Sequence, residues 1–245
     1  MNYWDKNKSY GDLFYDRAIG KKEEMECSKA VCDILKPIYE PDMKILDVGC
    51  GAGHYLKSLI DRLDENVNYT GIDITEHYIE KAKKAFKDYR FFIDDIYSIG
   101  FKDESFDIVM CNNVIFHLPP FPVEAISELL RVSSNYVVIR VPIAKRNYII
   151  KEVRDQNDDL DEEIKQITDE EGNPLVWNYL NLYTKEFFED AISKINPDYV
   201  VNFIKDENWK NLESKAKSKT ATDIMGGKQV SGNIVLDWYF IVVRK

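Results

Sequence analysis

Apolar positions along the chain alternate between two spacings. Residues 22–36 carry Met25, Val31, Ile34 and Leu35 at helical spacing, and Lys36-Pro37 ends that helix because the residue before a proline resists helical backbone. Short, nearly continuous apolar runs predict buried strands at Met43–Val48, Val67–Asp73, Tyr89–Ile93, Phe106–Cys111 and Tyr136–Val141. Between them, three groups of residues mark helix faces: Leu56, Leu59, Ile60 and Leu63; Ile79, Ala82 and Phe86 behind a Thr75 cap; Ile126, Leu129 and Leu130 after Pro122. Lys102–Ser105 reads as a turn. Strands that alternate with helices, and that are apolar on both faces, predict a mostly parallel sheet covered on two sides.

The regularity breaks after the fifth strand. Residues 152–171 hold ten acidic and two basic side chains, which predicts a solvated face or a covering insertion. Thr184 then caps a helix bearing Phe187, Phe188, Ala191, Ile192 and Ile195, and a strand is expected near Tyr199–Ile204. Residues 206–233 are polar, with Lys210, Lys215, Lys217 and Lys219 and the pair Gly226-Gly227. Ile234–Val243 reads as one final core strand.

Composition narrows the function classes. The 245 residues carry 33 Lys and Arg against 43 Asp and Glu, a net charge of −10, which speaks against a nucleic-acid partner. A hydrophobic share of 44% is enough for a sizeable core, and no window nears the 18 or so apolar residues of a membrane span. Cys27, Cys32, Cys50 and Cys111 form no C-x-x-C pair, so no metal site is expected and each reads as a small core residue. Few scattered cysteines and a polar start, MNYWDKNKSY, give a cytoplasmic expectation.

The candidate chemistry lies at 45–56. Gly49, Gly51 and Gly53 stand between a strand and a helix, where glycine lets a ligand approach the backbone and the helix start offers unpaired N–H groups. Asp47 ends the strand before them. Asp73 ends the second strand, 20 residues after Gly53, a spacing that suits a carboxylate accepting from both hydroxyls of a ribose. Asp94-Asp95-Ile96 ends the third strand, where a carboxylate can accept from an adenine amine. All three acidic positions fall at carboxyl ends of parallel strands, where open α/β sheets bind ligands. His54 stands where a dinucleotide fingerprint needs glycine, and Asp47 would repel a pyrophosphate. An adenosyl sulfonium, cationic at its amino-acid end, suits the site better than NAD.

The stretches LDVGCGAG (46–53), GID (71–73), IDDI (93–96) and SFDIVMCNNVIFHL (105–118) resemble the class I S-adenosylmethionine-dependent methyltransferases, with looser agreement at YTKEFF (183–188). The resemblance covers about residues 40–142. It implies a Rossmann-like, doubly wound, seven-stranded α/β sheet, mostly parallel with an antiparallel last strand. It implies that Asp47 and Gly49 line the methionine end, and that Asp73, with Ile74 beside it, holds the ribose. It places adenine against Asp95 and Ile96, with Asp94 as the alternative to Asp95, and the methionine amino group against Cys111 or Asn112. S-adenosylmethionine is the implied cofactor, with no metal.

The expected organisation is an N-terminal helical lid over 1–40, a donor-binding core over 41–143, an acidic acceptor-covering insertion over 144–182 and completion of the core over 183–245. His117, just after the fourth strand, is the candidate base or positioning residue. His54 is a candidate ligand or substrate contact, the alternative being an ordinary first-turn residue with a lowered pKa, and His77 is expected to be exposed. The lid's rings and charges (Tyr3, Trp4, Tyr10, Phe14, Tyr15, Arg17, Lys21) and the group Trp177, Asn178, Tyr179 and Tyr183 supply acceptor candidates, of which Tyr10, Tyr15, Arg17, Asn178 and Tyr179 are preferred. The expected reaction is methyl transfer to oxygen or nitrogen of a small polar metabolite, such as a sugar, sugar nucleotide or amino-alcohol phosphate. RNA or protein methylation and a non-catalytic donor-binding subunit are the alternatives. The expected partners are a small-molecule acceptor and, for assembly, a second copy of the chain; no membrane partner is expected.

Overall fold

The computed structural model describes residues 8–153, 168–208, 223–225, 228–231 and 234–245. In chain order the elements are α1 (Lys8–Ala18), α2 (Glu26–Leu35), β1 (Lys44–Val48), α3 (His54–Arg62), β2 (Asn68–Asp73), α4 (Glu76–Ala85), β3 (Arg90–Ile93), β4 (Phe106–Asn112), a 3-10 turn (Ile115–His117), α5 (Val123–Val132) and β5 (Ser133–Pro142). Then come β6 (Lys151–Val153), β7 (Trp177–Tyr179), α6 (Lys185–Ile195), β8 (Val200–Lys205), β9 (Asp223–Met225), β10 (Lys228–Ser231), β11 (Ile234–Leu236) and β12 (Trp238–Arg244).

Seven strands form the main sheet in the order β3-β2-β1-β4-β5-β12-β8. The pairings from β3 to β5 are parallel, and β12 runs antiparallel to both β5 and β8. The expected sheet with its antiparallel last strand is therefore present. Successive residues of a strand point to opposite faces. Leu46, Val48, Val109 and Cys111 pack with Ile126, Leu129, Phe188 and Ile192 of α5 and α6. Ile45, Ile108 and Met110 pack with Val31, Leu35, Leu56 and Ile79 of α2, α3 and α4. Burying each such aliphatic side chain contributes about 1.5–3 kcal/mol, so the two-sided apolar pattern itself selects the layered arrangement. The register pairs Val48 with Ile72 and Asp73 with Ile93, which brings the loops after β1, β2 and β3 to one edge.

Three details depart from the sequence reading. Ile234–Val243 is not one strand: β11 joins a three-stranded sheet with β10 and β9, and β12 joins the main sheet. The break falls at Asp237, whose carbonyl accepts from Ile143 N–H and whose carboxylate pairs with Lys205 at 2.9 Å. Residues read as a polar stretch supply β9 and β10. Thr75 holds the cap position of α4, but its side chain bonds no helix N–H; Thr184 Oγ1 does accept from Phe187 N–H, at 3.2 Å. Lys210, Lys215, Lys217, Lys219, the Gly226-Gly227 pair, Tyr3, Trp4 and residues 154–167 of the acidic segment lie outside the described residues. No helix among the described residues is long and apolar enough to cross a membrane.

Candidate functional site

The glycine loop is sewn to the end of β2. Gly49 and Cys50 N–H both donate to Ile72 O, at 2.8 and 3.0 Å. Gly49 is left-handed at φ 78°, and a Cβ there would overlap Val114 Cγ2 after β4, so no other residue fits. Asp73 Oδ2 accepts from Gly51 N–H and Oδ1 from Thr75 N–H, each at 2.9 Å. The Thr75 hydroxyl bonds the same carboxylate, whose remaining lone pairs are open to a ligand. Burial raises the pKa of Asp73, and these backbone donors oppose that rise.

A cavity of about 420 Å3 opens at this edge. Gly49, Gly51, Asp73, Ile74, Asp94, Asp95, Ile96 and Asn112 line it, with His54 near one end of the loop and His117 on the 3-10 turn. Asp94 commits both carboxylate oxygens to its own loop, accepting from Asp95 and Gly100 N–H at 2.9 Å each. Asp95 commits Oδ1 to Tyr97 N–H at 3.0 Å. His117 Nδ1 lies 2.7 Å from Tyr179 O, so the ring donates there.

Other expected residues stand away from this cavity. Asp47 is only 1% exposed and lies beneath the loop, where Oδ2 accepts from Tyr69 OH at 2.8 Å and Oδ1 has no partner. Burial lifts its pKa to about 7, and neighbouring Asp73 adds to the shift. Cys111 is fully buried in the core, facing away on the alternation of β4, while both amide atoms of buried Asn112 lack partners. Gly53 caps α3 and packs on Phe86 and Phe91. Tyr15 sits under Lys81 and Lys84 of α4, and Tyr10 meets Phe14 at 6.0 Å. Asn178 donates to Glu152 and to Tyr179 O within the β6–β7 hairpin. Tyr179 O bonds His117, and the Tyr179 ring meets Trp177 edge-on at 4.7 Å. Arg17 lines a separate side cavity. His77 is half-buried rather than exposed, meeting Tyr78 edge-on at 4.4 Å. The pKa of His54 is lowered to about 3, by burial and then by Arg17.

Several lining residues are not among the expected site residues: Met25, Tyr55, Tyr78, Tyr97, Asn113 and Val114. Asn113 belongs to a buried network. Arg140, 1% exposed, pairs with Asp206 at 2.7 Å, stacks over Trp238 at 4.0 Å and donates to Asn113 Oδ1 at 2.6 Å. Asn113 in turn donates to Tyr55 OH at 3.0 Å and is left-handed at φ 62°. Asn181, fully buried, ties the insertion to the 3-10 turn. Its N–H donates to Phe116 O, its Nδ2 to Leu118 O, and its Oδ1 accepts from Ile150 N–H.

A family profile described as a methyltransferase domain matches residues 39–217. The chain belongs to that family. It is an S-adenosylmethionine-dependent methyltransferase of the Rossmann-like class. Uncharacterized protein MJ0638 of Methanocaldococcus jannaschii is 28% identical over 174 residues, 71% of this methyltransferase and 71% of that protein. The 2-methyl-6-phytyl-1,4-hydroquinone methyltransferase of Synechocystis is 37% identical over 95 residues, 38% of this chain and 29% of that protein. The match to highly reducing polyketide synthase verA of Penicillium polonicum covers only 3% of that protein, so this methyltransferase spans a small part of some curated relatives. Among solved structures, magnesium protoporphyrin IX methyltransferase of Synechocystis with bound SAM aligns with a TM-score of 0.57 at 14% identity, over 98% of this chain and 94% of that one.

Proposed function

We propose that this methyltransferase moves a methyl group to an oxygen or nitrogen of a small molecule held between the glycine loop and the 3-10 turn. One observation carries the reading: Asp73, Asp94, Asp95 and His117 line the same cavity. Its size suits small ligands rather than a polymer, and the net charge of −10 disfavours RNA.

The residues present fit an adenosyl sulfonium. Asp73 takes the ribose hydroxyls with its remaining lone pairs. Asp95 is preferred to Asp94 for the adenine amine, because its Oδ2 accepts no bond from the loop while each Asp94 oxygen already accepts one. Asp47 Oδ1 and the Asn112 amide, buried without partners, are the acceptors an ammonium group needs. When bound, the donor supplies a methyl carbon already activated by positive sulfur.

At the other end, the Nδ1–H bond to Tyr179 O makes Nε2 the basic nitrogen of His117. His117 takes the proton from the attacking hydroxyl or amine, a contribution of about 10²–10⁴-fold to the rate. The wall there is apolar, built by Val114, Leu118 and Pro119 with Tyr97 nearby. It favours an acceptor with an apolar body and one nucleophilic atom over the sugar expected from the polar-tipped aromatics. The hydroquinone methyltransferase relative is named for an acceptor with an apolar phytyl chain.

Calorimetry with S-adenosylhomocysteine tests the donor site. Asp73→Ala is expected to weaken binding by about 100-fold, the loss of two hydrogen bonds to a charged group. Unchanged affinity overturns the assignment. Methyl transfer from labelled donor to a panel of phenols and amines tests the reaction.

A further inference from the structure

The ion pair between Arg140 and Asp206 has no part in the chemistry above, and neither residue lines the main cavity. The two side chains are 1% and 0% exposed. Apolar residues of similar volume often replace such a pair without loss of stability, so stability alone does not account for two desolvated charges. The bonds around the pair lead to the donor end. Arg140 Nε and Nη2 both donate to Asp206 Oδ2, at 2.9 and 2.7 Å, and the remaining nitrogen, Nη1, donates to Asn113 Oδ1. Asn113 N–H donates to Arg140 O at 3.1 Å, so the same residue holds Asn113 by side chain and by main chain. Among the described non-glycine residues with positive φ, Asn113 alone lines the cavity. A left-handed conformation is unfavourable for a residue with a Cβ and persists where its surroundings fix it.

The bonds run on in both directions and close. Tyr55 OH accepts from Asn113 Nδ2 and donates to Cys27 Sγ at 3.4 Å. On the other side, Asp206 Oδ1 accepts from Asn208 N–H at 3.2 Å, and Asn208 Nδ2 donates to Glu26 O at 3.3 Å. Glu26 and Cys27 are neighbours at the start of α2, which makes the circuit a ring through α2, α3, the turn after β4, strand β5 and the segment after β8. Asn112, the residue before Asn113, is the one whose buried amide has no partner.

We infer that Arg140 and Asp206 are positioning residues for the methyl donor: the ion pair locks the left-handed turn at Asn113 and thereby aims the Asn112 amide at the donor's ammonium group. The inference rests on the proposed donor site and adds to it a control by side chains outside the cavity. The ribose and adenine contacts stand on the ends of β2 and β3, and their bonds to the loops do not pass through the ring. Loss of the pair therefore acts on one end of the ligand.

The test compares S-adenosylhomocysteine with 5′-methylthioadenosine, which lacks the amino-acid chain, by calorimetry. The double variant Arg140→Met/Asp206→Leu removes both charges together, so that neither is left buried and unpaired. It is expected to bind S-adenosylhomocysteine about tenfold more weakly, the value of one charge-assisted hydrogen bond, and 5′-methylthioadenosine within about twofold of the wild type. Asn113→Gly keeps the ion pair and tolerates the left-handed backbone but loses both side-chain bonds, and the same selective loss is expected from it. Thermal unfolding shows which variants fold, and Asn113→Gly decides the matter should the double variant not fold. Equal losses for the two ligands, or a folded variant with undiminished affinity for S-adenosylhomocysteine, overturn the inference and leave the donor site standing. A wild-type protein that binds the two ligands equally, or neither, overturns the donor reading as well.

Discussion

The two ends of the cavity are built differently. At the donor end, each contact joins a strand end to a loop next to it in the sheet, as when Gly51 N–H meets Asp73 or Gly49 N–H meets Ile72. At the acceptor end, the 3-10 turn is completed by an insertion far along the chain: His117 bonds Tyr179 and Asn181 bonds Leu118 across 62 and 63 residues. The donor end is rigid because the sheet register fixes it. The acceptor end depends on a few side-chain and carbonyl bonds that another sequence could replace without touching the sheet. A fold built this way keeps its donor chemistry while its acceptor changes.

Three substitutions sharpen or break that contrast. The largest effect is expected from Gly49→Ala, where the new Cβ overlaps Val114 and the backbone is left-handed. Calorimetry should find adenosyl ligand binding abolished, and denaturant unfolding a loss of about 2–4 kcal/mol. Retained binding would mean that the loop is softer than the sheet-locked picture requires.

Next is Asp47→Asn. The folded carboxyl titrates near 7, above its ordinary value near 4, so the folded state holds the extra proton between those pH values. Stability from this group is full below about pH 4 and is lost as pH rises through 7, on the order of 3–4 kcal/mol for a fully buried group. Asp47→Asn should therefore be more stable than the wild type at pH 8, equal to it near pH 4, and poor at binding the donor. Thermal unfolding across pH reads the first two, and calorimetry the third. A variant less stable than the wild type at pH 8 would break the account.

The smallest effect is expected from Asn181→Ala, which leaves two backbone groups, Leu118 O and Ile150 N–H, short of partners at a cost of about 1–3 kcal/mol. It should raise the acceptor KM and leave donor affinity within about twofold, since no donor contact changes. Equal losses at both ends would show that the ends are mechanically one.

The same contrast explains what could be read from the sequence. Gly49, Asp73 and Asp95 were legible because glycine at a positive φ and acids at strand ends are local signals. Asn113, Arg140 and Asp206 were not. Arg140 reads as a charge inside an apolar run, and nothing local says that Asp206, 66 positions later, neutralises it. Tyr10, Tyr15, Asn178 and Tyr179 are polar-tipped rings or amides near the expected lid and insertion, but side-chain direction there depends on packing that periodicity does not encode. The split at Asp237 was hidden because both halves are equally apolar, and one polar residue in such a run does not announce a change of sheet.

That split has a bearing on how the chain assembles. β12 lies between β5 and β8, so β8 has no ladder to join until residues 238–244 are in place. Until then Val137, Val138 and Ile139 sit on an open sheet edge, the kind that recruits other chains. A fragment ending at Asp237 should clump in light scattering at concentrations where the whole chain stays clear. Quality control of this protein therefore turns on one short segment arriving before a neighbour does.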